Sequence, residues 1–194
     1  MSGGGPRNGR RSTRHPLPGR ARPPVTPPDR KEIPVTGSPS PSELAQVRKT
    51  RDELDILKTL SRLARAQDDL DRETYLGCFT ETVLLTRSAV LEGWQPKEIP
   101  AAELADLYFA ELKKYDAGQH MVFNHLIDVD GDEATCQADL HAVAIRTEDG
   151  RARTTFLAGR YDLGLRRVDG RWLIHERAVT VRFQGEYPGA EVTA

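Results

Sequence analysis

The chain has 194 residues, 38% of them hydrophobic, with 28 basic and 29 acidic side chains, enough for one ordinary domain plus a tail. The charge is unevenly placed: residues 1–42 hold eight Arg or Lys against two acids, a local net of +6, which leaves −7 for the remainder. An acidic domain is a poor electrostatic match for a phosphate backbone, which argues against nucleic acid as a partner, and no apolar run approaches the roughly 20 residues that span a membrane.

Residues 1–40 are rich in Pro, Gly, Ser and Arg with almost no large apolar side chain. Such a stretch buries too little surface to offset the entropy of ordering, so a disordered basic tail is expected. Arg10-Arg11 is not followed by the apolar segment of a secretion signal. Cys78 and Cys136 sit far apart in apolar settings, without metal-ligand spacing or a disulfide framework. They read as buried thiols in a reducing, cytoplasmic setting.

Order is expected over 41–185. Ser40-Pro41-Ser42-Glu43 has the signature of a capping box with Pro at the first helical position. Leu44, Val47, Leu54, Leu57, Leu60, Leu63 and Ala64 then recur at helical spacing, predicting a long amphipathic helix to about Gln67. Asp71 can cap a short second helix over 72–80. The β-branched and apolar run 83–90 predicts a strand, Gly93-Trp94-Gln95-Pro96 a break, and Pro100 the start of a third helix striped with Leu104, Leu107, Tyr108 and Leu112.

From Gln119 the pattern changes to four strands, about 119–129, 133–147, 152–167 and 171–184. Asp130-Gly131, Asp149-Gly150 and Asp169-Gly170 separate them, each a strong hairpin signal because tight hairpin turns need positive φ. An antiparallel meander after three helices is an α+β layer arrangement. Residues 186–194 read as a loose C-terminal tail.

Three segments carry a family resemblance. They are Leu63 to Asp71 (LARAQDDLD), Gln119 to Asn124 (QHMVFN) leading into Val129 to Ala134 (VDGDEA), and Ala158 to Asp162 (AGRYD) with Asp169 to Trp172 (DGRW). In this order and spacing they resemble the SnoaL-like branch of the nuclear transport factor two-like superfamily, over about residues 44–184. The resemblance implies a cone-shaped barrel of curved antiparallel sheet packed on three helices, with an apolar pocket between. The family includes scytalone dehydratase, ketosteroid isomerase-like enzymes, polyketide cyclases and small subunits of ring-hydroxylating dioxygenases. Fold alone does not choose among them.

Scytalone dehydratase-like members pair an Asp at the end of the first helix with a His early in the sheet, and Asp68 and His120 match those positions. A carboxylate beside an imidazole fixes the ring's tautomer and frees its other nitrogen to move a proton. The resemblance therefore implies a dehydratase, isomerase or cyclase of a small, largely apolar carbonyl or polyketide-like compound, requiring no metal or organic cofactor. Asn124, four residues after His120 in one strand, is expected on the same face. Tyr161 matches a polar pocket-lining position, and both are candidates to hold a substrate oxygen. The dehydratase's second His corresponds to a place near Ala144, and its Tyr before the Asp to Gln67. His141 has the wrong parity to enter the pocket without a bulge. Arg160, Arg177 and Arg182 are not placed by alternation, although an Arg in the pocket would suggest an acidic substrate. The expected partners are a small-molecule substrate and copies of the chain in a dimer or trimer. The alternative is a non-catalytic small subunit or ligand-binding module with an idle pocket.

Overall fold

The computed structural model describes residues 38–87, 95–148 and 150–187. The basic tail, Ser88 to Trp94 with the end of the first expected strand, Asp149 and residues 188–194 lie outside them.

The element order is α1 (Pro41–Asp68), α2 (Arg72–Leu76), β1 (Phe79–Arg87), β2 (Lys97–Pro100), α3 (Ala101–Leu112), β3 (Ala117–Asp130), β4 (Glu133–Glu148), β5 (Arg151–Val168) and β6 (Arg171–Tyr187). Six strands form one sheet in the order β2-β1-β6-β5-β4-β3. Among the described residues only the β1–β6 pair is parallel. The sheet curls into a half-barrel against the three helices, the α+β architecture the sequence predicts. The short strand β2, hidden in four residues before Pro100, is an addition to that reading. Second, the strand after α2 begins at Phe79, so the predicted helix over 72–80 ends four residues early.

Local chemistry explains the boundaries. The Ser40 amide donates to the Glu43 carboxylate at 2.7 Å and the Glu43 amide to the Ser40 hydroxyl at 3.2 Å, completing the capping box. Asp71 caps α2 by accepting from the Thr74 amide at 3.0 Å. Between β5 and β6, Asp169 and Gly170 both take positive φ, 49° and 75°, as a two-residue hairpin turn matched to strand twist requires. The β3–β4 turn is displaced by one residue: Asp130 pairs with Glu133, leaving Gly131 and Asp132 at the tip.

The core is a single cluster that draws on all three helices and on β1, β2, β4, β5 and β6. The long helix is buried only in its second half, where Ile56, Leu60 and Leu63 are inaccessible. Leu44, Val47 and Leu54 are 45%, 64% and 52% exposed. The amphipathic stripe thus continues past the covered part of the helix: 28 residues at about 1.5 Å each outrun the sheet they cover. Two ties fix α1 in place. The Thr59 hydroxyl donates to the Trp172 carbonyl at 3.0 Å. Arg167 grips Asp52 with two bonds of 2.8 and 2.9 Å while lying 4.4 Å over the Trp172 ring.

Candidate functional site

The last residue of α1 and the start of β3 meet. Oδ1 of Asp68 accepts from both the His120 backbone amide and its ring Nδ1, each at 2.8 Å. The two side chains are 20% and 9% exposed. One carboxylate oxygen holds both the main chain and the ring, so the backbone amide fixes the carboxylate and the imidazole cannot turn without breaking its charge-assisted bond to it. Its Nε2 bonds to no described residue.

The backbone after Asp68 is what permits this. Leu70 takes a left-handed φ of 54°, and the Asp71 amide returns to the Ala66 carbonyl at 2.9 Å. A β-carbon in that region is costly, about 1–3 kcal/mol, so the helix ends on a strained turn that leaves Asp68 directed at β3.

Both residues line a cavity of about 570 Å³ between α1, α3 and the concave sheet, within the usual ligand-pocket range of roughly 300–1,000 Å³. Leu112, Leu140, Ala142, Ala144 and Leu157 supply apolar wall. Ala144, the position of the dehydratase's second His, does face the cavity. Gln67, where that enzyme has Tyr, lines it as well. His141 points the other way, its Nε2 3.4 Å from the Tyr187 hydroxyl and its ring edge-on to Phe156.

Asn124 is a correction. Phe123 pairs with Asp139 but Leu126 with Gln137, so one extra residue bulges from β3. Asn124 occupies that bulge with a φ of 54°, a conformation Asn tolerates better than most residues. Its amide donates to Asp139 on the outer face at 2.9 Å, in solvent. The shared face with His120 that uninterrupted alternation predicts is lost at the bulge.

Tyr161 keeps the predicted inward parity but is not part of the cavity wall. It is fully buried behind it, and burial pushes its phenol up to about 12. Gln67 and Arg177 are near enough to favour its ionised form slightly, yet the hydroxyl closes no hydrogen bond.

Arg177 is the residue that sequence reasoning did not place. It is 1% exposed, with its guanidinium 4.5 Å over the Tyr108 ring and 5.3 Å from that of Tyr161. Burial opposes its charge, but the phenols of Tyr108, Tyr75 and Tyr161 outweigh that and hold its pKa above the ordinary arginine value. A bulge brings it inside. Leu165 pairs with Ile174 but Gly164 with Glu176, so His175 is extra and the inward positions shift from Trp172 and Ile174 to Arg177 and Val179. The one sequence signal is Gly164: a β-carbon there would sit 3.1 Å from both the His175 ring and Glu176 Cβ. By contrast Arg160 and Arg182 are outside, 3.2 Å from Asp162 and 3.8 Å from Asp139.

Cys78 and Cys136 are buried free thiols, both raised by burial to about 11, which makes them inert as nucleophiles at neutral pH. Among the described residues no three His, Cys, Asp or Glu side chains are grouped to hold a metal ion, and no helix is long and apolar enough to cross a membrane.

Comparison with known proteins agrees with this architecture. The Kfla4162 protein of Kribbella flavida superposes with a TM-score of 0.65 at 20% identity, over 71% of this chain and 95% of its own. A type 2 hexachlorocyclohexane dehydrochlorinase, LinA, gives 0.62 at 16% identity over 78% and 97%. A candidate scytalone dehydratase from Novosphingobium aromaticivorans gives 0.56 at 18% over 75% and 92%. At these identities the likeness is one of fold. No curated protein sequence matches the chain. The profile of the SnoaL-like domain matches residues 48–178, from within α1 to the middle of β6, and on that match the chain belongs to the SnoaL-like family of the nuclear transport factor two-like superfamily.

Proposed function

We propose that the protein is an acid–base enzyme acting on a small, largely apolar carbonyl compound, as a dehydratase, isomerase or cyclase. The observation that carries this reading is the Asp68–His120 pair on the wall of the cavity, with Nε2 left over for chemistry. Asp68 accepts the Nδ1 proton and thereby makes Nε2 the basic nitrogen. Nε2 takes a proton from the carbon beside the carbonyl, the electron pair moves to the carbonyl oxygen, and Asp68 balances the imidazolium formed. The same proton then returns, to a departing hydroxyl in an elimination or to a different carbon in an isomerisation. The similar folds named as a dehydrochlorinase and a scytalone dehydratase make elimination the first reaction to test.

A substrate-independent assay is available. Incubation in D2O with a panel of enolisable ketones should give deuterium wash-in at the carbon beside the carbonyl, and His120→Ala should abolish it. Exchange at equal rates in the wild type and His120→Ala would refute the reading. A second reading, an assembly subunit with an idle pocket, has the outer face of the sheet in its favour, where Phe123, Leu126, Phe183 and Tyr187 are 42–70% exposed. It predicts no exchange with any compound, together with a stable oligomer. An active homo-oligomer would instead join that surface to the enzyme reading.

A further inference from the structure

Behind the cavity lies a group of buried polar atoms that the dyad does not use. Nε and Nη2 of Arg177, both amide atoms of Gln67, and the hydroxyls of Tyr75 and Tyr161 are inaccessible and have no hydrogen-bond partner. The four residues are between 0% and 2% exposed. Buried polar groups are nearly always bonded, and a buried charge is normally paired. Six convergent unpaired atoms around one guanidinium therefore point to a ligand group. No carboxylate among the described residues pairs with Arg177, whose nearest charged-state influences are Tyr108, Tyr75 and Tyr161.

The pattern of free atoms is itself informative. Nε–H and the neighbouring Nη2–H form the side-on edge of the guanidinium fork, two parallel donors spaced for the two oxygens of a carboxylate. Tyr75 and Tyr161, their phenols raised by burial, remain protonated and can donate as well. Access lies through Gln67, which belongs to both the cluster and the cavity wall, and whose amide lies near the Tyr161 hydroxyl without closing a hydrogen bond to it. Tyr108 likewise lines the cavity and stacks on Arg177. Of the acids that line the cavity, Glu111 is paired with Lys114 and Glu186 lies 3.5 Å from Arg153, while Asp116 accepts from the Thr147 amide at 2.7 Å and Asp68 holds His120.

We infer that Arg177, with Tyr75, Tyr161 and Gln67, is a carboxylate-binding subsite at the inner end of the cavity, so that the substrate is a small carboxylic acid anchored there and presented to His120. The substrate class rests on the enzyme reading above; the binding site does not. The test is calorimetric titration of the full-length protein with benzoate and with its uncharged isostere benzamide. The wild type should prefer benzoate at least tenfold, and Arg177→Met should lose that preference by roughly ten- to a hundredfold. Tyr75→Phe with Tyr161→Phe, which keeps the volume, should weaken benzoate and leave benzamide unchanged, and it serves if Arg177→Met does not fold. Equal binding of the two probes, or an undiminished preference in the variants, overturns the subsite. His120→Ala should retain the benzoate preference while losing deuterium exchange. A preference without exchange in the wild type defeats the dyad alone, and exchange without a preference defeats the subsite alone.

Discussion

Replacing Asp68 by Asn separates what that side chain does for the fold from what it does for the reaction. The amide oxygen can still accept from the His120 backbone amide, a bond of 2.8 Å, so β3 should stay in register and Tm should hold. What disappears is the negative charge beside an imidazole that must become positive when it removes a proton. With charge centres about 4 Å apart, the attraction is about 4 kcal/mol at an effective dielectric of 20 and about 1 kcal/mol in water. The carboxylate is one-fifth exposed and the ring less than one-tenth, which places the loss between, at about 2–3 kcal/mol. That corresponds to proton abstraction roughly 30- to 150-fold slower. Because Asp68 acts through His120, kcat should fall while KM changes little. Deuterium wash-in measured by NMR under saturating ketone reads the first quantity, and its concentration dependence reads the second. A rate within threefold of the wild type, with an unchanged melting curve, would refute the claim that this carboxylate supports the catalytic base.

Asp52→Asn should lower Tm by roughly 4–8 °C, since it removes the charge of a bidentate pair only 14% exposed on the carboxylate side, a loss of about 2 kcal/mol. Its acid dependence has a definite sign. The Arg167 guanidinium holds the Asp52 carboxyl below its ordinary value, so its contribution is complete above about pH 3.9 and fades as the pH falls further. Thermal melts of the wild type and the variant should thus converge in strong acid. Asn124→Ala should leave exchange within twofold and cost at most about 1 kcal/mol, because Asn124 bonds Asp139 on the solvent side at a positive φ. Gly159→Ala would drive a β-carbon into the Thr180 carbonyl oxygen and should destabilise by at least about 2 kcal/mol, read by urea unfolding.

Two different kinds of information reached the surface of the sequence. Elements bounded by local chemistry were legible: the Ser40–Glu43 box, the Asp71 cap, and the Asp169-Gly170 turn all work within a few residues and involve no distant partner. The pairing of Asp68 with His120 depends on contacts 52 residues apart and was reached through resemblance rather than through pattern. The exposed Leu44, Val47 and Leu54 show the limit of periodicity, which reports a helix's apolar face but not how far the sheet beneath it extends.

Side-chain direction in the sheet was misread at Asn124 and left open at Arg177, and for one reason. A strand transmits parity along its length only while its pairing is unbroken, and a single inserted residue reverses every later position. The bulge at Asn124 removed a candidate from the cavity, and the bulge at His175 brought Arg177 in. Neither carries Pro, and the residue in each bulge is not Gly, so no local code marks them. The only trace is across the ladder, where Gly164 leaves room for His175. The site is therefore assembled from two sources: a dyad positioned by a helix end and a buried guanidinium positioned by a register shift. Removing the bulge by deleting His175 should leave Glu176 opposite Gly164 and Arg177 opposite the buried Leu163, so Arg177 should stay inside and the preference for a carboxylate should survive the deletion.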